Sequence, residues 1–207
     1  MKSYPIMLNI QDKKVVIVGG GRIAYRKIVN LLHAGARITV ISPAVHIKIE
    51  KLITENRILW KKKAFEADDL ACAFIVIAAT NNEKVNAHVA SSTGANQLVN
   101  VVDNQEISTF HVPAKLTRGD LTISIATSGA SPTLAKVIRD ELALVYDNSY
   151  ERYLEFLSQS RAMVKNSNCN PATKMQLLKV ITGKAYRESV QLQQAFLETM
   201  ENFEEKL

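Results

Sequence analysis

Hydrophobic and polar positions in the first half of the chain alternate between two periods. Lys14-Val15-Val16-Ile17-Val18 is a short β-branched run ending in Gly19-Gly20-Gly21. Ala24, Ile28, Leu31 and Leu32 then share one face of a predicted helix, which Gly35 closes as a left-handed cap. Ile38-Thr39-Val40-Ile41 is a second run that stops at Ser42-Pro43, and Val45, Ile49, Leu52 and Ile53 recur after it at helical spacing. Ile58-Leu59-Trp60 predicts a short third strand, residues 74–79 a buried fourth and residues 98–102 a fifth. Residues 83–92, carrying Val85 and Val89, predict a helix between the last two strands. Apolar strands alternating with amphipathic helices imply a parallel sheet covered on both faces.

The rhythm changes near Phe110. Residues 111–116 and 121–125 predict two strands joined by the turn-prone Thr117-Arg118-Gly119-Asp120, which makes a hairpin rather than another parallel unit. Ser131 suits a helix cap and Pro132 the first helical position, ahead of a stripe of Leu134, Ile138, Leu142 and Val145. Everything beyond Asn148 reads as helical. Tyr150, Leu154 and Leu157 mark one segment, Leu177, Leu178 and Ile181 a second, and Phe196, Met200 and Phe203 a third, with a break at Asn166-Ser167-Asn168-Cys169-Asn170-Pro171.

Composition narrows the picture. A chain of 207 residues, 47% hydrophobic and 22% charged, can bury a real core in one generous domain or two small ones. No apolar run approaches the roughly 20 residues of a membrane helix, and Met1-Lys2-Ser3-Tyr4-Pro5 does not open a secretory leader, so the expected location is the cytoplasm and no membrane partner is expected. The two cysteines, Cys72 and Cys169, are too few and too far apart for a disulfide framework or a CxxC zinc site. A formal charge of +6 favours an acidic partner, whether nucleic acid, membrane surface or polycarboxylate. Nucleic acid is not expected, because aromatics are not interleaved with a basic face, and Lys61-Lys62-Lys63 reads as a solvated loop.

Gly19-Gly20-Gly21-Arg22-Ile23-Ala24 matches G-x-G-x-x-A directly after a strand and at the mouth of a helix, the context that makes this motif specific for a Rossmann dinucleotide site. Gly19 permits the tight turn and Gly21 lets a pyrophosphate approach the backbone. Small Ala24 lets helix and sheet pack closely, so the first-turn amides of Arg22 and Ile23 can face the phosphates. The second strand ends without the usual ribose-binding carboxylate, which leaves Ser42, Pro43 and Ala44 to meet the ribose. No arginine at its tip offers a 2′-phosphate pocket, so NAD is the expected cofactor.

Asp103 follows the fifth strand and falls at the carboxyl edge of the sheet, where it is either an acid/base group or a turn aspartate. Ala79 and Thr80 close the fourth strand on the same edge. They either accommodate the nicotinamide ribose or, with Asn81, simply cap the next helix. Thr127, Ser128, Gly129 and Ser131 precede a helix N-terminus that can offer amides and hydroxyls to a carboxylate, or serve as an ordinary cap. His111 could move a proton or be structural. His33, His46 and His88 lie on separate elements, and no metal site is expected.

In this order and spacing the motifs resemble the precorrin-2 dehydrogenase family, including the dehydrogenase/ferrochelatase module of siroheme synthases. They are Tyr4-Pro5-Ile6 with Leu8, Val18 through Ala24 with Arg26-Lys27, Gly35 through Val40, Ala78-Ala79-Thr80-Asn81, Asn100-Val101-Val102-Asp103 and Thr127 through Pro132. The resemblance covers nearly the whole chain. It implies an α/β protein with an N-terminal Rossmann domain (1–112), a central dimerisation region (113–147) and a helical C-terminal domain (148–207), working as a homodimer. It further implies NAD-dependent oxidation of precorrin-2 to sirohydrochlorin, with Asp103 at the aspartate implicated in catalysis and Thr127, Ser128, Gly129 and Ser131 near the substrate; His111 joins Asp103 as a catalytic candidate on its own chemistry alone. Some members of the family also insert iron, and that bifunctional reading is one alternative. A non-catalytic NAD-sensing module is another, whereas a short-chain reductase is disfavoured because no Tyr-x-x-x-Lys pair occurs.

Overall fold

The structure, a computed structural model, describes residues 3–204. Contacts between Cα atoms divide the chain into two units, Met1–Val112 and Pro113–Leu207.

In the first unit, the apolar runs become strands β1 (Lys14–Val18), β2 (Arg37–Ile41), β3 (Leu59–Lys61), β4 (Ile75–Ala78) and β5 (Leu98–Val101). All pair in parallel, in the order β3-β2-β1-β4-β5. Three helices connect them: α1 (Arg22–His33), α2 (Ile47–Thr54) and α3 (Glu83–Ser91). Alternate residues of each central strand face opposite sides, so two cores form. Val15, Ile17, Val40, Ile75 and Ile77 meet Ala24, Ile28 and Ile49 on one face, and Val16, Val18, Val76, Ala78 and Val99 meet Leu70 and Val89 on the other. Each fully buried Ile or Val contributes about 1.5–3 kcal/mol, which explains why all four residues of β4 are apolar and buried.

Two local devices were hidden in the sequence. The stretch after β5 doubles back along that edge strand: Ser108 Oγ accepts the Val101 amide at 2.9 Å, and Thr109 Oγ1 accepts the Val99 amide at 2.8 Å. The open edge is thereby capped. Lys61 and Lys63, expected in a solvated loop, instead hold Asp69, whose carboxylate is only 4% exposed and lies 3.0 and 3.1 Å from the two ammonium groups. Asp69 also accepts the Glu66 amide at 3.1 Å, completing a capping box on the 3₁₀ turn Ala67–Leu70.

The second unit opens with the expected hairpin, an antiparallel pair of β6 (Ala114–Arg118) and β7 (Leu121–Ile125). β6 begins and ends later than the 111–116 predicted, because Arg118 pairs with Leu121 and leaves only Gly119-Asp120 as the loop. Gly119 takes φ +53°, as a tight two-residue hairpin turn requires. Helix α4 (Pro132–Val145) packs on the hairpin and is capped by Ser131 Oγ, which accepts the Leu134 amide at 3.1 Å. Its expected stripe is only partly covered: Ile138 and Leu142 are half-buried, whereas Leu134 is 49% and Val145 65% exposed.

Helices α5 (Ser149–Asn166), α6 (Pro171–Val180), α7 (Lys184–Glu188) and α8 (Val190–Glu204) follow. Their core is aromatic and centred on Tyr153 and Phe156, with Ile181 just past the end of α6. The Phe156 ring stacks on Tyr186 at 6.1 Å and meets Phe196 edge-on at 6.0 Å. α7, which delivers Tyr186, is too short for periodicity to reveal. Met200 is buried as the third stripe predicts, and Phe203 lies outside the described side chains.

Candidate active site

The carboxyl ends of β1, β4 and β5 converge at the point where the strand order reverses, the crevice in which doubly wound sheets bind ligands. Three turns furnish it, each fixed by a different local constraint.

The turn after β1 is pressed between its neighbours. Gly19 adopts φ +119°, and a Cβ there would meet the Ala79 carbonyl oxygen at 2.3 Å. Its amide donates to the Ile41 carbonyl at 2.9 Å, tying the turn to β2 as well as β4. Gly21 is the opposite case, because a Cβ there would meet nothing within 4 Å. That open space faces the start of α1, whose N-cap Gly21 provides no side chain and whose first turn holds no acidic residue. Arg22 and Ile23 are both exposed there. Unsatisfied helix N-terminal amides beside a vacant approach suit the pyrophosphate of a dinucleotide, and the residues present fit such a cofactor.

Beyond β2, Ser42, Pro43 and Ala44 form a tight bend. Ser42 Oγ donates to the Ala44 carbonyl at 2.7 Å, and the Ser42 carbonyl accepts the Trp60 indole at 2.9 Å. The serine hydroxyl is thus committed as a donor, and its remaining lone pairs and the Ala44 region are what a ribose could meet.

After β4, Ala79 is buried and Thr80 half-buried. The cap of α3 is Asn82, not Thr80 or Asn81: its side chain accepts the Lys84 amide at 3.0 Å and the Val85 amide at 3.3 Å. Thr80 is gripped by Asn86 instead. The Asn86 Oδ1 accepts the Thr80 amide at 3.1 Å and its hydroxyl at 2.7 Å, while Asn86 Nδ2 donates to the Thr80 carbonyl at 3.2 Å. The same Nδ2 lies 3.3 Å from each carboxylate oxygen of Asp103, the exposed residue that follows β5. Asn86 is 1% exposed. Its signal in the sequence was faint: an asparagine three residues before Val89, on the buried stripe of a helix, needs hydrogen-bond partners.

A second polar link lies deeper. Lys27 of α1 reaches Asn100 of β5, Nζ to Oδ1 at 3.1 Å, and Asn100 Nδ2 donates to the Phe110 carbonyl at 3.1 Å. Burial, with a smaller contribution from neighbouring Arg26, lowers the Lys27 pKa from its ordinary value.

The structure brings Gly19, Gly21, Ala79, Thr80 and Asp103 to one edge. It does not bring His111 to Asp103. The described partner of the Asp103 carboxylate is Asn86; Ser108 and Thr109 run back beside Val101 and Val99, and the Phe110 carbonyl just before His111 accepts from Asn100. Thr127, Ser128, Gly129 and Ser131 belong to the second unit, in the turn before α4. Thr127 Oγ1 accepts the Ser131 amide at 3.1 Å, and exposed Ser128 holds φ +49°, a left-handed conformation costly for a residue with a side chain. Among the described residues no group of three or more His, Cys, Asp or Glu side chains could hold a metal ion.

The 3-2-1-4-5 parallel order and the glycine turn define a dinucleotide-binding α/β protein of Rossmann type. A family model described as "Putative NAD(P)-binding" matches residues 6–114. Models for a sirohaem biosynthesis protein central region and a SirC C-terminal domain match residues 118–143 and 150–196. A precorrin-2 dehydrogenase of Priestia megaterium is 36% identical over 200 residues, 97% of this chain and 99% of that relative. Another from Bacillus subtilis is 38% identical over 76% of this chain and 97% of its own. The siroheme synthase of Methylobacillus flagellatus is 37% identical over 80% of this chain but only 36% of that longer protein. The solved structure of SirC, precorrin-2 dehydrogenase, superposes with a TM-score of 0.88 at 35% identity, covering 97% of this chain and all of that one. The chain belongs to the precorrin-2 dehydrogenase family.

Proposed function

We propose that the protein oxidises precorrin-2 to sirohydrochlorin with NAD as the acceptor, a step of siroheme biosynthesis. The observation that carries the chemistry is the placement of an exposed carboxylate, Asp103, on the same sheet edge as an uncapped helix N-terminus that opens beside Gly21. The Gly19–Gly21 turn, the amides of Arg22 and Ile23, the Ser42-Pro43-Ala44 bend and the Ala79-Thr80 strand end would hold the cofactor. Bound NAD accepts the hydride that the macrocycle loses.

The chain's own task is the proton. Oxidation to sirohydrochlorin removes two hydrogens, one as hydride and one as H⁺, and the Asp103 carboxylate is positioned to accept the latter or to orient the substrate around it. Thr127, Ser128, Gly129 and Ser131 contribute hydroxyls and helix-start amides to substrate carboxylates, and the surplus of positive charge suits such a polyanion. His111 keeps a supporting place in this reading only if a group beyond Asp103 is needed.

The working unit is a homodimer built through the 113–147 region, with 1–112 binding cofactor and 148–207 completing the fold. Leu134, Val137, Leu144 and Val145 are exposed along α4, Leu144 at 84%, a stripe that a second copy would cover. Two free thiols, exposed Cys72 and half-buried Cys169, accord with a reducing cytoplasm.

Asp103→Ala tests the assignment. The variant should fold and bind NAD as the parent does while losing at least about 10²-fold in turnover of precorrin-2. Full turnover would remove Asp103 from the chemistry.

A further inference from the structure

Asn86 touches no open part of the site, yet it is the only described side chain bonded to both Thr80 and Asp103. We infer that Asn86 is a positioning residue that aims the Asp103 carboxylate and locks it in register with the cofactor turn. The inference rests on the catalytic reading of Asp103.

The stereochemistry of one amide supports it. A primary amide carries two N–H bonds and one carbonyl oxygen. The Asn86 oxygen is taken up by the Thr80 amide and hydroxyl, and one N–H by the Thr80 carbonyl at 3.2 Å, so the plane of the amide is fixed by the end of β4. The remaining N–H can then point only toward Asp103, where the two oxygens lie equidistant at 3.3 Å. Thr80 in turn follows Ala79, whose carbonyl lies within clash distance of any Cβ on Gly19. A rigid chain therefore runs from the phosphate turn through β4 and Asn86 to the carboxylate. Without it Asp103, exposed and on a turn, would have no described partner to restrict its rotamer.

A buried asparagine could also be needed for folding alone, and a double-mutant cycle separates the two roles. Asn86→Asp keeps an oxygen for the Thr80 amide and hydroxyl but replaces the donor with a second carboxylate oxygen. The kcat for precorrin-2 should fall roughly 10²-fold, as expected when a reacting group is misplaced, while the NAD dissociation constant stays within about threefold. In an Asp103→Ala background the same change should cost no further kcat, because the group it aims is gone. Asn86→Ser, smaller and unable to reach Asp103, carries the same cycle if Asn86→Asp does not fold. Equal losses in both backgrounds, or unchanged kcat in the single variants, would overturn the positioning role. Full turnover by Asp103→Ala alone would instead strike the catalytic reading, and the inference with it.

Discussion

Gly19 lies so close to Ala79 that a Cβ on the glycine would stand 2.3 Å from the alanine carbonyl oxygen. The first glycine of the motif is therefore a packing requirement between β1 and β4, and only its neighbour Gly21 leaves room for a ligand.

The two glycines should separate on substitution. Gly19→Ala forces a side chain into backbone at φ +119° and should destabilise the protein by at least about 2 kcal/mol. Gly21→Ala meets no atom within 4 Å and should cost cofactor-free stability no more than about 1 kcal/mol, the loss of a glycine N-cap, while weakening NAD by at least about tenfold, or 1.4 kcal/mol. Thermal melts with and without NAD, alongside calorimetric titration, check both.

Asp69 should make stability depend on acid. Burial works against its charge, but hydrogen bonds from Lys61, Lys63 and the Glu66 amide outweigh burial and hold its pKa below the usual 3.8. A carboxylate whose pKa is lower in the folded state stabilises fully above its unfolded value, and that contribution disappears as pH falls through the folded one. Asp69→Asn should therefore cost about 1–3 kcal/mol at neutral pH and less at about pH 3, below the usual 3.8 of the unfolded carboxyl. Urea midpoints of the two proteins at both pH values measure it.

In the helical unit, Tyr153 joins the aromatic core to the end of α6 by donating from Oη to the Ile181 carbonyl at 2.9 Å. Tyr153→Phe keeps the ring and loses that bond, and should lower unfolding free energy by about 1 kcal/mol without changing NAD affinity. A larger loss in NAD binding than in urea stability would contradict this division of labour.

The strands and the phosphate turn were legible because burial on both faces writes continuous apolar runs, and because Gly19, Gly21 and Ala24 are constrained residue by residue. The parallel pairing of the sheet followed from the same alternation, whereas its strand order did not. What was not legible depends on contacts distant in sequence. Asn86 meets Asp103 across 17 positions, and Asn100 meets Lys27 across 73. Ser108 and Thr109, five and six residues past Asp103, turn back beside Val101 and Val99 and imitate a neighbouring strand with their hydroxyls, which no local pattern foretells. Leu134 and Val145 have the spacing of a core stripe yet stay exposed, and nothing in periodicity tells a buried face from an exposed one of the same composition.

Whether the oxidation requires the dinucleotide is decided by anaerobic turnover of the purified protein. With precorrin-2 and NAD, sirohydrochlorin and NADH should form in equal amounts, and omitting NAD should stop both. Bound NAD with no sirohydrochlorin formed, or sirohydrochlorin formed at the same rate without NAD, would contradict the account.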